Sequence, residues 1–375
     1  MVDLKSIRDS FTMNASWIQG IAFAMFNRRI SHNSSLCLFG CLIALGSASA
    51  QSGNILSENF RKVQTITLSD PQEVLTEDLL ISQIWSLDID SKGRLLVVDL
   101  SGGQAFLFDS DGSLLAVLDP SSCHPGFEFR PVNAIFLDDQ SIFLGNAGPW
   151  GYRFTAEGGC LGNVHSDFSL VSRPGFWDTD SRGNLVGLYR TPTASIIRFM
   201  TPNGETVREI ELPASKFPNA NARMAMGGIV ADETHTFYAG ALEPHVLKVA
   251  GDGTIDSKIS HRTSWFQDVS KDIPSHGSGN PAAQMKASSR LRASSTLTSR
   301  IFELNDQSIM VQYSGPKGLG YQIFTKDGFL VTEELGTNYL FKQAKSGLLY
   351  RVVQPDMDYT DLGNPSIEVY EYISP

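Results

Sequence analysis

Residues Ile84 to Leu118 read IWSLDIDSKGRLLVVDLSGGQAFLFDSDGSLLAVL. Four short apolar runs are broken by three turn signals: Asp90-Ser91-Lys92-Gly93, Ser101-Gly102-Gly103 and Asp109-Ser110-Asp111-Gly112. Runs of this length, rich in Leu, Val, Ile and Phe, are consecutive antiparallel strands joined by tight hairpins. A single four-stranded meander cannot cover both of its faces, so it needs copies of itself to pack against.

The copies follow. A polar turn between first and second strands recurs at Ser91-Lys92-Gly93, Asp138-Asp139-Gln140, Ser181-Arg182-Gly183, Asp232-Glu233-Thr234, Asn305-Asp306-Gln307 and Lys345-Ser346-Gly347. A Gly turn between third and fourth strands recurs at Gly112, Gly158, Gly204, Gly253 and Gly328. Within a unit the two landmarks lie 19, 18, 21, 19 and 21 residues apart, whereas successive units are spaced by 47, 43, 51, 73 and 40. Constant hairpin cores with variable connections define a β-propeller, since loops tolerate insertion and packed blades do not. Six units are countable. The sixth, Tyr339 to Tyr372, lacks a fourth strand, and the alternating segment Val63–Leu68 is expected to supply it and close the ring.

The units are alike in residues too. Asp88-Ile89-Asp90-Ser91-Lys92-Gly93-Arg94-Leu95 matches Asp178-Thr179-Asp180-Ser181-Arg182-Gly183-Asn184-Leu185. The D-x-x-G-x-L turn, the following Val97-Val98-Asp99 and the F-D-x-D-G hairpin resemble the NHL and TolB-like six-bladed propellers over roughly residues 60–375. The first unit fits that motif well; the second, fourth, fifth and sixth are degenerate. The resemblance implies an all-β six-bladed fold of four-stranded antiparallel blades. Some such propellers are lactonases or lyases with a channel-bound metal. Their ligand set has no residue-by-residue match in this chain, and Asn133 and Asp178, on first strands near the channel, are the two candidates.

The first fifty residues have the parts of an export signal in order. Arg28-Arg29 is basic, Leu36–Leu45 is apolar but too short for a bilayer, and Ala48-Ser49-Ala50 is a small-residue cleavage site. We therefore divide the chain into residues 1–50, an upstream segment and signal peptide starting at Met25, and 51–375, a propeller domain with an insertion at 260–294. Leu38-Phe39-Gly40-Cys41 is a poor lipoprotein box because Phe39 is too large, and Arg28-Arg29 lacks the flanks of a twin-arginine signal. The expected location is periplasmic or secreted, without stable membrane insertion. Of the four cysteines, Cys123 and Cys160 remain after cleavage. Export permits a disulfide, but the repeat places the two near opposite faces of the disc, which argues against pairing.

The net charge is −10 overall and −12 without the first fifty residues (26 basic, 38 acidic). An acidic surface disfavours nucleic acid. The D-x-D-x-x-G turns read as capped tight turns, because Lys92 and Arg182 stand where a calcium loop needs an oxygen ligand. The histidines are scattered, G-x-S-x-G, H-E-x-x-H and P-loop motifs are absent, and no cofactor is expected. Loops between second and third strands, and between units, share one face. That face carries Trp150, Tyr189, Arg190, His245, Asp358 and Tyr359, the candidate ligand-binding residues. Asp356, Asp358 and Asp361 either bind a hard cation or solvate their loop, with solvation favoured. The locally basic insertion is either a lid on this face or a flexible surface loop. These features suit a protein, peptide or glycan ligand and a non-catalytic binding role. The alternative is a metal-assisted lactonase or lyase with acids in the central channel.

Overall fold

A computed structural model describes residues 58–373 apart from 76–77, 127–129, 138–139, 147–149, 166–176, 191–193, 214–226, 261–262, 269–288, 306, 338 and 355–363. Residues 1–50, the expected signal, and Asp356, Asp358, Tyr359 and Asp361 thus lie outside the described residues. So does the middle of the insertion.

The described strands form six four-stranded antiparallel sheets. Blade I is β2 (Ile84–Ile89), β3 (Leu95–Asp99), β4 (Gln104–Phe108) and β5 (Leu114–Val117). Blade II is β6 (Pro131–Phe136), β7 (Ile142–Asn146), β8 (Trp150–Phe154) and β9 (Cys160–His165). Blade III is β10 (Trp177–Thr179), β11 (Leu185–Arg190), β12 (Ser195–Met200) and β13 (Thr206–Glu211). Blade IV is β14 (Gly227–Ala231), β15 (His235–Gly240), β16 (Val246–Ala250) and β17 (Ile255–Ile259). Blade V is β18 (Leu297–Asn305), β19 (Ser308–Gly315), β20 (Gly318–Thr325) and β21 (Leu330–Thr337). Blade VI takes β22 (Phe341–Lys345), β23 (Leu348–Val353) and β24 (Ser366–Tyr372) from the C-terminus and β1 (Phe60–Thr67) from the other end of the domain.

The chain therefore closes its ring as expected, with β1 the outermost strand of blade VI, paired to β24. The anchor is Phe60 rather than Val63. Val63 is the extra residue of a bulge between Lys62 and Gln64 and is 47% exposed, whereas Phe60 packs against Tyr321, Tyr339, Phe341 and Tyr372.

The regular 18–21 residue spacing has an atomic cause. In all five outer hairpins the glycine N–H donates to the carbonyl three residues back: Gly112 to Asp109, Gly158 to Thr155, Gly204 to Thr201, Gly253 to Ala250 and Gly328 to Thr325. Each glycine has φ between +86° and +96°, the left-handed region that costs other residues energy. Two are also pressed against the preceding blade. A Cβ on Gly112 would stand 2.3 Å from the Thr67 carbonyl oxygen, and one on Gly158 would stand 2.6 Å from Ala116 Cβ. The inner turns are capped as read. Asp90 Oδ1 accepts from the backbone N–H of Lys92 and Arg94, and Asp180 Oδ1 accepts from Arg182 and Asn184.

One expectation is overturned. Cys123 and Cys160 form a disulfide, with Cα atoms 5.8 Å apart, inside the usual range. The flat-disc picture placed them on opposite faces because it neglected strand twist, which tilts outer strands across the neighbouring blade. The end of β5 (Ala116, Leu118) lies against the 155–159 hairpin of blade II. Cys160 begins β9 directly after that hairpin, and the short turn Pro120–Ser122, capped by Asp119, brings Cys123 back to it. Cys123, Cys160, Ala116 and Leu118 share one core cluster.

The ends of the insertion are fixed to the propeller. Trp265 and Phe266 pack on Tyr313, with ring centroids 5.6 and 6.0 Å away. Gln267 and Thr296 exchange hydrogen bonds, and a helical turn at 289–294 buries Leu291. No described helix is long and apolar enough to cross a membrane.

Candidate functional site

The innermost strands β2, β6, β10, β14, β18 and β22 surround a central cavity of about 570 Å3. Its polar lining includes Asp88, Asn133, Asp178, Arg300, Gln343 and Lys345, with Trp177 among the apolar members. Four of the six inner strands carry a bulge at the same level. The residue that follows each, Ser86, Asn133, Arg300 and Gln343, lines the cavity. A bulge re-aims side chains that regular pleating would send elsewhere.

The repeated octapeptide accounts for the two aspartates. Asp88 Oδ2 accepts from the N–H of Phe136 in blade II at 2.8 Å, and Asp178 Oδ2 accepts from the N–H of Ala231 in blade IV at 2.7 Å. Each carboxylate thus holds the inner strand of the next blade. Asp88 Oδ1 also accepts from Gln343 Nε2 at 2.7 Å, which ties blade I to blade VI. Burial pushes Asp178 up to about 7 against the pull of its hydrogen bonds and of Lys345, and the Asp88 charge adds to the rise. Burial raises Asp88 as well, opposed first by Lys345 and then by the Phe136 N–H. Asn133, 7% exposed, accepts from the Ser86 hydroxyl at 2.7 Å. Among the described residues no group of three or more His, Cys, Asp or Glu side chains is disposed to hold a metal ion.

Between blades V and VI, Arg300 lines the cavity and Lys342 lies beside it, outside the lining. Arg300 Nη1 donates to the carbonyl of Lys342 at 2.6 Å. Desolvation lowers Arg300 to about 10, and desolvation together with Arg300 lowers Lys342 to about 8.

The face read as ligand-binding is assembled in part. Trp150 begins β8, Arg190 ends β11 and His245 immediately precedes β16, so the backbone brings all three to the same end of blades II, III and IV. His245 is half-buried. Tyr189 does not belong with them. It is 2% exposed, lies edge-on to Trp177 at 6.3 Å, and carries the Arg198 guanidinium 4.2 Å over its ring. Alternation along β11 turns Tyr189 into the core as Arg190 ends the strand. Asn133 and Asp178 do line the cavity. Sequence reading passed over Asp88, although the octapeptide match made it equivalent to Asp178. Arg300 and Lys342 gave no signal, because they sit in units whose motif is degenerate.

No family model matches the chain, and no curated protein matches it. Solved structures do. A candidate exported protein of Bacteroides fragilis superposes with a TM-score of 0.59 at 11% identity, covering 84% of this chain and 96% of that one. A member of the DUF4221 family from Bacteroides vulgatus gives 0.52 at 9% identity, over 84% and 98%. A catalytically inactive virginiamycin B lyase from Staphylococcus aureus, with quinupristin, gives 0.51 at 12% identity, over 84% and 100%. This chain is a six-bladed β-propeller. Identities this low establish the shared fold.

Proposed function

We propose that the protein is an exported binding propeller of the NHL/TolB-like type, which recognises a peptide or glycan, free or as part of a protein, at the face bearing Trp150, Arg190 and His245 and admits part of it into the central cavity. The observation that carries this reading is the state of the cavity's carboxylates. Asp88 and Asp178 accept backbone N–H groups from neighbouring blades, so they hold the ring together before they meet any ligand. The cavity remains open and mixed in charge, which suits polar recognition. The Cys123–Cys160 disulfide fits an oxidising compartment.

The test is a panel of glycans and peptides titrated against the mature chain, Trp150→Ala, and Lys92→Ala on the opposite face. A ligand weakened by Trp150→Ala alone supports the reading. A ligand indifferent to Trp150→Ala, or lost only with Lys92→Ala, refutes this face. One observation favours the second reading, a lactonase or lyase: two buried carboxylates of raised pKa converge in one cavity. Turnover of a lactone or cyclic ester that stops with Asp178→Asn would replace the first reading with the second.

A further inference from the structure

The outer strands β5, β9, β13, β17 and β21 each carry a bulge at the same place, just after the glycine hairpin. In four of them the extra residue is an exposed aliphatic: Leu115, Leu161, Val207 and Val331. In blade IV it is Asp256. A bulge re-aims its side chain, and here Asp256 Oδ2 comes to 2.7 Å from Nε2 of His235, the first residue of β15. On the other side of the imidazole, His235 Nδ1 lies 2.7 Å from Thr234 Oγ1. Where the other blades repeat an apolar residue, blade IV therefore ends a hydroxyl–imidazole–carboxylate chain.

These side chains are held in place and face a groove. Asp232 Oδ1 accepts from the backbone N–H of Thr234 and of His235 at 2.8 and 2.7 Å, and Lys326 grips its other oxygen at 2.9 Å. Thr234 and His235 line a groove of about 720 Å3 on the face of the inner turns, together with Ser181, Lys248 and Lys326. Cross-strand pairing of Lys248 with Phe237 puts Lys248 on the same side of the sheet as His235. The direction of each bond follows from its partners. The Asp256 carboxylate accepts, so Nε2 carries the imidazole proton and Nδ1 presents its lone pair to the Thr234 hydroxyl. Asp232 Oδ1 is a second acceptor for that hydroxyl, but at 3.2 Å it is the more distant one. Capping alone does not call for this arrangement, since the Asp90 and Asp180 turns are capped through backbone N–H groups in the same way without an imidazole.

We infer that Thr234 is an acyl-accepting nucleophile, with His235 as its general base and Asp256 as a positioning residue, and that this groove hydrolyses short acyl esters. The activity is separate from binding at the Trp150 face and does not rest on it. A nucleophile, its base and an orienting acid within hydrogen-bond reach are the signature of covalent acyl transfer. As Thr234 Oγ1 bonds to the ester carbonyl carbon, its proton passes to His235 Nδ1. As the ester C–O bond breaks, that proton goes to the departing alkoxide. Water then attacks the acyl-threonine and gives a proton to the same nitrogen, which returns it to Thr234 as the carboxylic acid leaves. Asp256 holds the ring in the required tautomer throughout. Lys248, whose partner Asp327 is exposed and 3.8 Å away, is the groove's cation for the oxyanion of each tetrahedral intermediate.

The test follows hydrolysis of p-nitrophenyl acetate by the mature chain and locates the acetyl group by mass spectrometry after an acid quench. Turnover is expected, with acetyl on Thr234, and kcat should fall about a hundredfold or more in Thr234→Ala and in His235→Gln. Thr234→Ser should keep turnover, and Lys92→Ala should match the wild type. Asp256→Asn should lower kcat roughly tenfold or more with KM unchanged, because it disturbs the tautomer rather than the groove. Melting curves establish that each variant is folded; where Thr234→Ala is not, the position of the acetyl group and the Asp256→Asn split decide. No turnover, turnover unchanged in Thr234→Ala, or acetyl found on lysine alone overturns the proposal. A peptide or glycan bound at Trp150 without ester turnover would sink this site and leave the binding reading standing. Turnover without any such ligand would do the reverse.

Discussion

Replacing Asp178 with Asn should make the protein more stable at neutral pH and leave it little changed in acid. In the unfolded chain Asp178 ionises near the ordinary 3.8, whereas in the folded ring burial holds it near 7. Between those values the native state keeps a proton that the unfolded state has released, so stability falls as pH rises. Below about 3.8 both states are protonated and the group contributes nothing; above about 7 the full penalty applies. A displacement of roughly three pH units corresponds to ~4 kcal/mol. Part of it belongs to coupling with Asp88, and Lys345 offsets some. A gain of about 2–4 kcal/mol is therefore expected at pH 8. Asn keeps an oxygen for the Ala231 N–H, so the blade III–IV link survives. Guanidinium unfolding at pH 4, 6 and 8, in EDTA and with the disulfide intact, measures this. A variant destabilised more at pH 8 than at pH 4 would show that the carboxylate is stabilising when ionised, and the argument would fail.

Three further outcomes follow from the packing. Cys123→Ser with Cys160→Ser opens a crosslink between residues 37 apart, and chain entropy alone puts the loss at roughly 4 kcal/mol; denaturant midpoints with and without reductant check it. Gly112→Ala should destabilise far more than Gly103→Ala. Both glycines have positive φ, but only the first would push a Cβ into the Thr67 carbonyl, while the second meets nothing within 4 Å; equal melting shifts would contradict the close contact. Phe60→Ala removes the ring that seats β1 in the blade VI cluster and should cost about 3–5 kcal/mol, read as faster exchange of β24 amides alongside a lowered melting temperature.

The fold was legible because its information is local and repeated. A positive-φ glycine at a fixed place in every outer hairpin is a backbone requirement, and such requirements survive in sequence even when side chains drift. The closing strand was legible for a similar reason, since a sixth unit short of one strand leaves an edge that must be filled. Its anchor was not, because the bulge at Val63 shifts the alternation by one residue and hands the buried role to Phe60. The disulfide was misjudged because twist accumulates from strand to strand, so the lean of an outer strand over the next blade shows only when the whole four-stranded sheet is assembled. Trp150, Arg190 and His245 do come to the same end of their blades, as the strand order implied. Tyr189 is instead carried inward by its strand, to Trp177.

The cavity shows why site residues are harder to read than blades. Asp88 and Asp178 come from the two units with the most similar turns, so their equivalence is written in the sequence and their task is structural: each fastens the next inner strand. Arg300 and Lys342 come from units that have lost the motif. The bulges do not track the motif, since they occur in units I, II, V and VI alike; what differs is the residue that follows each, Ser86, Asn133, Arg300 or Gln343. Sixfold repetition serves closure of the ring, which demands like blades, whereas a ligand lacking sixfold symmetry demands unlike ones. A ligand of that kind would be read by the cavity residues that differ between units, more than by those the repeat shares. At the four matching bulges the backbone is alike and the side chain is not: Arg300 brings a charge where Ser86, Asn133 and Gln343 bring none.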